Sequence, residues 1–222
     1  IDNDIGHTRF SIGVDTALNT IVAACDRISD TARAHRRAFL VEVMGRQCGF
    51  LAMRAGIAAD ADAILHGDEG LSENQLVSSL SGVLRKCFAP ERNKTRALII
   101  KAEGVRVPTV RLGERLQGVL DAELPGVDLR VTVLGHVVRG GSPSALDRVI
   151  AQRLAFAAVL ACEAGADDEM VAWDPFFSPG SVTEDSSVRL ISLLDVLEET
   201  ARLLDGSSPI VQKRVALLKQ VA

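Results

Sequence analysis

The sequence predicts an α/β fold with mostly parallel sheets and helices on both faces. Three observations carry that prediction. The chain has 222 residues, 47% hydrophobic and 24% charged, which is globular composition sufficient for one large domain or two small ones. Short runs of bulky apolar residues alternate with longer stretches in which apolar residues recur every three or four positions. The short runs are apolar throughout rather than every second residue, as expected of parallel strands covered on both faces.

The elements follow in order. Asp15 to about Ala34 reads as a helix, with Ala17, Ile21, Ala24, Cys25 and Ile28 on one face. Arg37–Val43 is a buried strand. Cys48–Ala59 is a helix of small residues, and Ala61–Leu65 a short strand. Ser72 with Gln75 approximates a capping box and opens a helix to about Phe88. Arg96–Lys101 is a strand. Pro108, suited to a first turn, opens a helix to about Ala122. Leu129–Leu134 is a strand, Ser142-Pro143 starts a helix to about Ala164, and Glu169–Trp173 is the last strand. Pro175–Asp185 reads as loop, followed by helices over Leu190–Leu204 and Ser207–Leu218. No internal repeat or low-complexity segment interrupts this alternation.

Charge and composition exclude several function classes. Twenty-five Lys and Arg against 29 Asp and Glu leave a net charge of −4, so no broad electrostatic grip on nucleic acid or an anionic membrane is expected. Tyr is absent and Trp173 is alone, which leaves no aromatic platform for stacking bases. No apolar run reaches the roughly 18–20 residues of a membrane span. Cys25, Cys48, Cys87 and Cys162 are far apart, with no metal-binding spacing. They read as buried free thiols of a reducing, cytoplasmic protein. An anionic ligand must therefore be met by a few placed Arg or Lys.

In parallel α/β folds ligands bind where strands end at their carboxyl side. Four segments draw attention on that ground or by their own chemistry. In Ile1-Asp2-Asn3-Asp4-Ile5-Gly6 two carboxylates at i and i+2 suit a base and a Mg²⁺ contact, although the same residues also make an ordinary solvated turn. Met44-Gly45-Arg46 follows a strand and leads into a helix, which suits a phosphate, or else a glycine turn with a surface Arg. Glu103 lies just past a strand and before Gly104. It suits a sugar hydroxyl, or is simply an exposed strand end. Gly135-His136-Val137-Val138-Arg139-Gly140-Gly141 sets a His and an Arg among flexible glycines after a strand, which suits an anionic phosphoester. Arg37 and Arg130 open their strands, at the opposite end from this chemistry. They read as surface residues, or as groups that reach the site of a neighbouring subunit. Two Asp, several Arg, a His and a Glu together suit phosphoryl transfer to a phosphorylated sugar.

The segments IDNDI, FSIGVDTALNT, EVMGRQCGFLA and LGHVVRGGSP followed by LDR resemble, in order and spacing, those of the 6-phosphofructokinases. The likeness is close over residues 1–155 and looser beyond. It is to the C-terminal two-thirds of a catalytic copy, with the wording of the large, duplicated eukaryotic-type enzymes and an intact IDND motif. It implies two Rossmann-like domains, the first incomplete. Residues 1–14 would be the tail of a nucleotide-binding domain, 15–137 a sugar-phosphate domain, 138–188 the return to the first, and 189–222 a C-terminal helical segment.

The resemblance also implies roles. Asp2 corresponds to the base that takes the proton from the 1-hydroxyl of fructose 6-phosphate, and Asp4 to the carboxylate serving Mg²⁺, directly or through water, on ATP. Arg46 corresponds to the group stabilising the transferring phosphoryl, with Met44 and Gly45 lining the sugar. Glu103 matches the sugar-hydroxyl acceptor, and His136 and Arg139 match ligands of the sugar and its 6-phosphate. Arg37 and Arg130 match the pair donated across a subunit interface, which implies a homodimer or homotetramer. Arg92 and Lys94 resemble basic contacts of an allosteric effector, but Ser29 stands near where many bacterial members carry a basic residue.

The implied function is a glycolytic kinase of the cytoplasm. A pyrophosphate-dependent member and a non-catalytic regulatory half are the alternatives. A nucleotide-cofactor oxidoreductase would require a G-x-G-x-x-G after a strand, which Gly140-Gly141 does not supply. The family's nucleotide-binding glycine loops precede the IDND motif, so these 222 residues are expected to be a segment without the donor site, inactive alone.

Overall fold

A computed structural model describes residues 1–31, 36–67, 70–92, 94–175, 181–183 and 185–221, with backbone alone at 181–182 and 217–221. The elements are α1 (Val14–Thr31), β1 (Arg37–Val43), α2 (Phe50–Ala58), β2 (Ala63–Leu65), α3 (Glu73–Cys87), β3 (Arg96–Ala102) and α4 (Thr109–Glu123). They continue with β4 (Asp128–Val133), α5 (Ala145–Glu163), β5 (Glu169–Trp173), β6 (Ser181–Val182), β7 (Val188–Ser192), α6 (Leu193–Asp205) and α7 (Pro209–Val221). The chain divides into two compact units, one of Ile1–Ala17 with Arg139–Leu217, the other of Leu18–Val138 with Leu218–Ala222. Among the described residues no helix is long and apolar enough to cross a membrane.

The second unit carries a four-stranded sheet in the order β2-β3-β1-β4, parallel at every pairing. The apolar runs of β1 and β3 lie at its centre, and Leu40, Val41, Ile99 and Ile100 are fully buried. Successive side chains of a strand point to opposite faces. Ala38, Leu40, Ala97 and Ile99 accordingly share a cluster with Leu76, Leu80 and Leu84 of α3 and Leu112, Leu116 and Leu120 of α4. The four-residue spacing in both helices lays each Leu stripe along the sheet. Ser72 caps α3 with its full capping box, as its sequence predicts. The small-residue composition of α2 is explained at Gly56, where a Cβ would stand 2.5 Å from Ile64 of β2. Because all four strands run parallel, their carboxyl ends share one edge, and Met44, His66, Glu103 and Leu134 follow at that edge.

The first unit is built around α5, which packs Ile150, Leu154 and Ala157 against Trp173, Val171 and Val188. Its sheet differs from expectation. The order is β5-β7-β6, and both pairings are antiparallel. Strand β7 was not foreseen, since residues 190–192 read as the start of a helix. The reason is local. Leu190 and Ile191 run directly into Leu193 and Leu194, so the apolar pattern has no break. The true boundary is Ser192, whose hydroxyl accepts the Leu194 N–H at 3.2 Å. The expected end of the first helix at Ala34 lies outside the described residues, as does much of the expected loop Pro175–Asp185, within which Ser181–Val182 forms strand β6 by pairing with β7. The long helix begins at Ala145, capped by Ser144, rather than at Ser142.

Asp147 ties this unit together. Only 2% exposed, its carboxylate accepts the Gly13 N–H at 2.9 Å, the Thr16 N–H at 2.8 Å and the Thr16 hydroxyl. It therefore satisfies orphan N–H groups at the start of α1 from the first turn of α5. Burial pushes its carboxyl up. The hydrogen bonds from Thr16, Gly13 and Ser144 outweigh burial and hold it below its ordinary 3.8.

The described cysteines are free thiols. Cys25, Cys48 and Cys87 are buried as expected, whereas Cys162 is exposed, because the last turns of α5 turn that position outward. Burial, followed by the nearby Asp26, pushes the Cys25 thiol up to about 11. Burial and the Asp62 carboxylate do the same for Cys87, also to about 11.

Two outcomes are expected. Leu116→Ala, at a fully buried position of the α4 stripe, should destabilise the protein by about 2–5 kcal/mol, read from the urea midpoint. Asp147→Asn should cost about 1.5–3 kcal/mol at neutral pH. Because the folded-state carboxyl is depressed, its contribution is present above 3.8 and is lost as pH falls through the lower folded value. The gap between parent and variant, followed by thermal unfolding against pH, should therefore close below pH 3.8 and not above it.

Candidate active site

Most of the residues selected from the sequence fall into two groups, one in each unit. In the second unit, β1 ends at Val43 and Met44 is buried. Gly45 has φ 137° and Arg46 φ 48°, so two consecutive residues occupy positive-φ backbone. For Arg46 that conformation costs about 1–2 kcal/mol relative to the right-handed region. Glu103, one residue past β3, supplies the compensation. Its Oε1 accepts the Gly45 N–H at 3.0 Å and the Arg46 N–H at 2.7 Å. Its own N–H donates to the Val43 carbonyl at 2.9 Å, which extends the β1–β3 ladder by one bond. The Arg46 and Glu103 side chains are exposed at this edge. His136 follows β4 in a short 3₁₀ turn, Gly135–Arg139, and is exposed as well. Beneath the edge, Lys101 is 1% exposed and pairs with Glu42 at 3.0 Å, and the Thr109 hydroxyl donates to the same carboxylate. Glu42 and Lys101 are register partners, so the pair sits one step below the Val43–Ala102 rung.

In the first unit the segment from Ile1 to Gly13 is fixed at several points. Asn3 is 2% exposed with φ 57°, a left-handed conformation that Asn tolerates. Its side chain donates to the Arg9 carbonyl at 3.1 Å and accepts the Ser11 N–H at 2.9 Å. Gly6 lies against α6, where a Cβ would meet Glu199 Cβ at 2.7 Å, and its N–H donates to the Thr200 hydroxyl at 2.8 Å. The Arg9 N–H donates to the Trp173 carbonyl at 2.8 Å. On this frame Asp2 is 4% exposed, while Asp4 is half-buried. Arg139 reaches Asp2 with Nη2 at 3.2 Å. The structure thus joins two residues that the sequence reading assigned to different ends of the chemistry.

Arg37 opens β1, whereas Arg130 is the third residue of β4, level with Phe39. Asp128 attracts both, Arg130 at 2.7 Å and Arg37 at 3.8 Å. Both lie in the amino-terminal half of their strands. Six residue steps separate Arg37 from Val43, about 20 Å along the strand. Neither is brought to the Arg46 edge. Arg92 and Lys94 line an open depression with Asp26, Ser29, Thr95 and Arg96. Lys94 is paired there with Asp62 at 2.5 Å.

Sequence reasoning missed Asn3, Gly104, Thr16 and Asp147 as the residues that hold these groups in shape. The signal at Asn3 was available, since an Asn between two Asp is a ready left-handed residue. The Asp147 signal lay in its place three residues after Ser144, the spacing of a helix cap. Among the described residues no group of three or more His, Cys, Asp or Glu is placed to hold a metal. One or two carboxylates with substrate phosphates suffice for Mg²⁺, and the half-buried Asp4 fits that smaller part.

The phosphofructokinase family model matches residues 1–162. The ATP-dependent 6-phosphofructokinase of Natranaerobius thermophilus is 44% identical over 171 residues, 77% of this chain and 50% of that protein. The enzyme of the same name from Bacillus cereus is 45% identical over 159 residues, 72% of this chain and 46% of that protein. The chain therefore spans about half the length of the curated relatives it matches. Phosphofructokinase from Saccharomyces cerevisiae superposes with a TM-score of 0.77 at 28% identity, over 99% of this chain and 27% of that one. The Pichia pastoris enzyme in its T-state gives 0.72 at 32% identity, over 99% of this chain and 23% of that one. A pyrophosphate-dependent phosphofructokinase from Nitrosospira multiformis shares the fold, with a TM-score of 0.64 at 18% identity over 88% of this chain and 50% of that one. With the family matched across both groups of candidate residues, this chain belongs to the phosphofructokinase family.

Proposed function

We propose that the complete protein is an ATP-dependent 6-phosphofructokinase, transferring the γ-phosphoryl group of ATP to the 1-hydroxyl of fructose 6-phosphate in cytoplasmic glycolysis. The observation that carries the reading is the gathering of Met44, Gly45, Arg46, Glu103 and His136 at the carboxyl edge of one parallel sheet. ATP as donor is supported by the names of relatives at 44% and 45% identity. In this reading residues 1–14 and 138–188 belong to a nucleotide-binding domain and 15–137 bind the sugar phosphate.

The mechanism follows from charge and position. Asp2 takes the proton of the attacking hydroxyl. Its pairing with Arg139 holds the carboxylate in one place, and Asn3 fixes the backbone beside it. Arg46 faces the transferring phosphoryl and offsets the charge that develops on its oxygens. Glu103 Oε1 is committed to the loop, so Oε2 is the oxygen that accepts a sugar hydroxyl. His136 and Arg139 bind the sugar phosphate, which means Arg139 serves both the phosphate and Asp2. Mg²⁺, when bound, would supply charge neutralisation on the donor phosphates, with Asp4 as its carboxylate. Arg37 and Arg130 serve the sugar phosphate of a neighbouring subunit in a homodimer or homotetramer. Arg92 and Lys94 would contact an anionic effector, with Lys94 leaving Asp62 to do so.

Asp2→Ser in the full-length protein should lower kcat by about 10²–10⁴-fold while fructose 6-phosphate binding survives, measured by steady-state kinetics and calorimetry. Near-normal turnover would remove Asp2 from the role of base. The sharing of sites is tested by mixing. Asp2→Ser and Arg130→Ala proteins, each inactive alone, should regain activity after dissociation and co-assembly. Mixtures that stay inactive would place Arg130 outside its neighbour's site.

A further inference from the structure

The loop that carries Arg46 is held in its unusual backbone shape from below, by a neighbour that is itself unable to take a side chain. A Cβ on Gly104 would stand 2.3 Å from the Arg46 carbonyl oxygen, 3.1 Å from its carbonyl carbon and 3.1 Å from Gln47 Cα. All three are backbone atoms, which cannot swing aside as a side-chain tip would. The next residue back, Glu103, grips the same peptide from the other direction through the Arg46 and Gly45 N–H groups. Glu103 is in turn fixed by its N–H to Val43. Two hydrogen bonds from one carboxylate to consecutive N–H groups thus oppose the cost of the left-handed conformation of Arg46.

We infer that Gly104 and Glu103 are positioning residues for Arg46: together they set its left-handed backbone and so aim its guanidinium at the phosphoryl being transferred. Glu103 thereby has two tasks, one oxygen for the loop and one for the sugar, so that the acceptor and the charge that stabilises transfer are placed by one carboxylate. Gly104 touches neither substrate in this arrangement and acts only through Arg46. The inference rests on the phosphoryl-transfer role of Arg46 proposed above.

The test is a double-mutant cycle in the full-length protein with steady-state kinetics. Arg46→Ala should lower kcat by about 10²–10³-fold. Gly104→Ala, with its Cβ pressing on the Arg46 peptide, should lower kcat by about 10–100-fold, the scale of an ångström's misplacement. The KM for fructose 6-phosphate should move by less than about threefold, because uniform sugar binding is untouched. In the Arg46→Ala background Gly104→Ala should have almost no further effect. A folded Gly104→Ala protein with full kcat, or one whose loss multiplies with that of Arg46→Ala, overturns the inference. If Arg46→Ala itself leaves kcat intact, the reading of Arg46 fails instead, and the inference with it. Should Gly104→Ala not fold, Glu103→Gln takes its place in the cycle. It should lower kcat as well as raise KM, and only the kcat effect should vanish without Arg46. A kcat effect that persists in that background overturns the inference equally.

Discussion

Strand β1 donates and accepts along both edges at once, to β3 on one side and β4 on the other, with all three running the same way. Everything at the Arg46 edge depends on that double pairing. It aligns Val43 with Ala102, so that Glu103 emerges beside Gly45 and Arg46. It brings Val133 level with Glu42, whose carbonyl accepts the Leu134 N–H at 3.0 Å, and so sets where the turn bearing His136 begins. A parallel sheet has this property because every strand delivers its carboxyl end to one side. Charge can then be concentrated there while the strand interiors stay apolar.

The same sheet buries an ion pair just short of that edge. A Lys at 1% exposure incurs a large desolvation cost, and the Glu42 carboxylate and the Ala102 carbonyl at 3.3 Å answer it. The Thr109 hydroxyl, from the first turn of α4, donates to the Glu42 carboxylate of the pair. A buried pair of this kind contributes little net stability beyond what apolar residues would give. Here it joins register partners of β1 and β3, and the same register sets Glu103 beside the loop it bonds. In the first unit the corresponding fastening is Asp147. One buried carboxylate satisfies the start of α1 from the start of α5, and the segment that bears Asp2 ends at that junction.

Much of the fold was legible because its signals are local. Arg37–Val43 and Glu169–Trp173 have the boundaries their composition indicates, and the capping box at Ser72 is a pattern complete within four residues. Strand β7 was not legible, because Leu190 and Ile191 continue the apolar period of the helix that follows. Its strand character comes from pairing with β5, a partner about twenty residues away in sequence. The antiparallel sense of that sheet is likewise a property of the pairing and of nothing in either strand. Cys162 was misjudged for a related reason. Its position on α5 is apolar by composition, but which side of a helix is covered depends on what packs there.

The candidate site divides along the same line. Which chemical groups are present, two carboxylates about an Asn, an Arg after a strand, a Glu after another, a His and an Arg among glycines, was fixed by residue type and spacing alone, and so was the family resemblance. What those groups do to each other was not. The bond between Asp2 and Arg139 spans 137 positions, and that between Glu103 and Arg46 spans 57. Covalent neighbours reveal propensity, whereas contacts at such separations exist only once strands have paired and helices have packed. The sequence alone determined the kit of groups and the parallel class of the sheet that presents Met44, Arg46, Glu103 and His136. Only the tertiary structure decided that Glu103 commits one oxygen to its neighbour's backbone, and that Gly104 must remain without a side chain for Arg46 to keep its place.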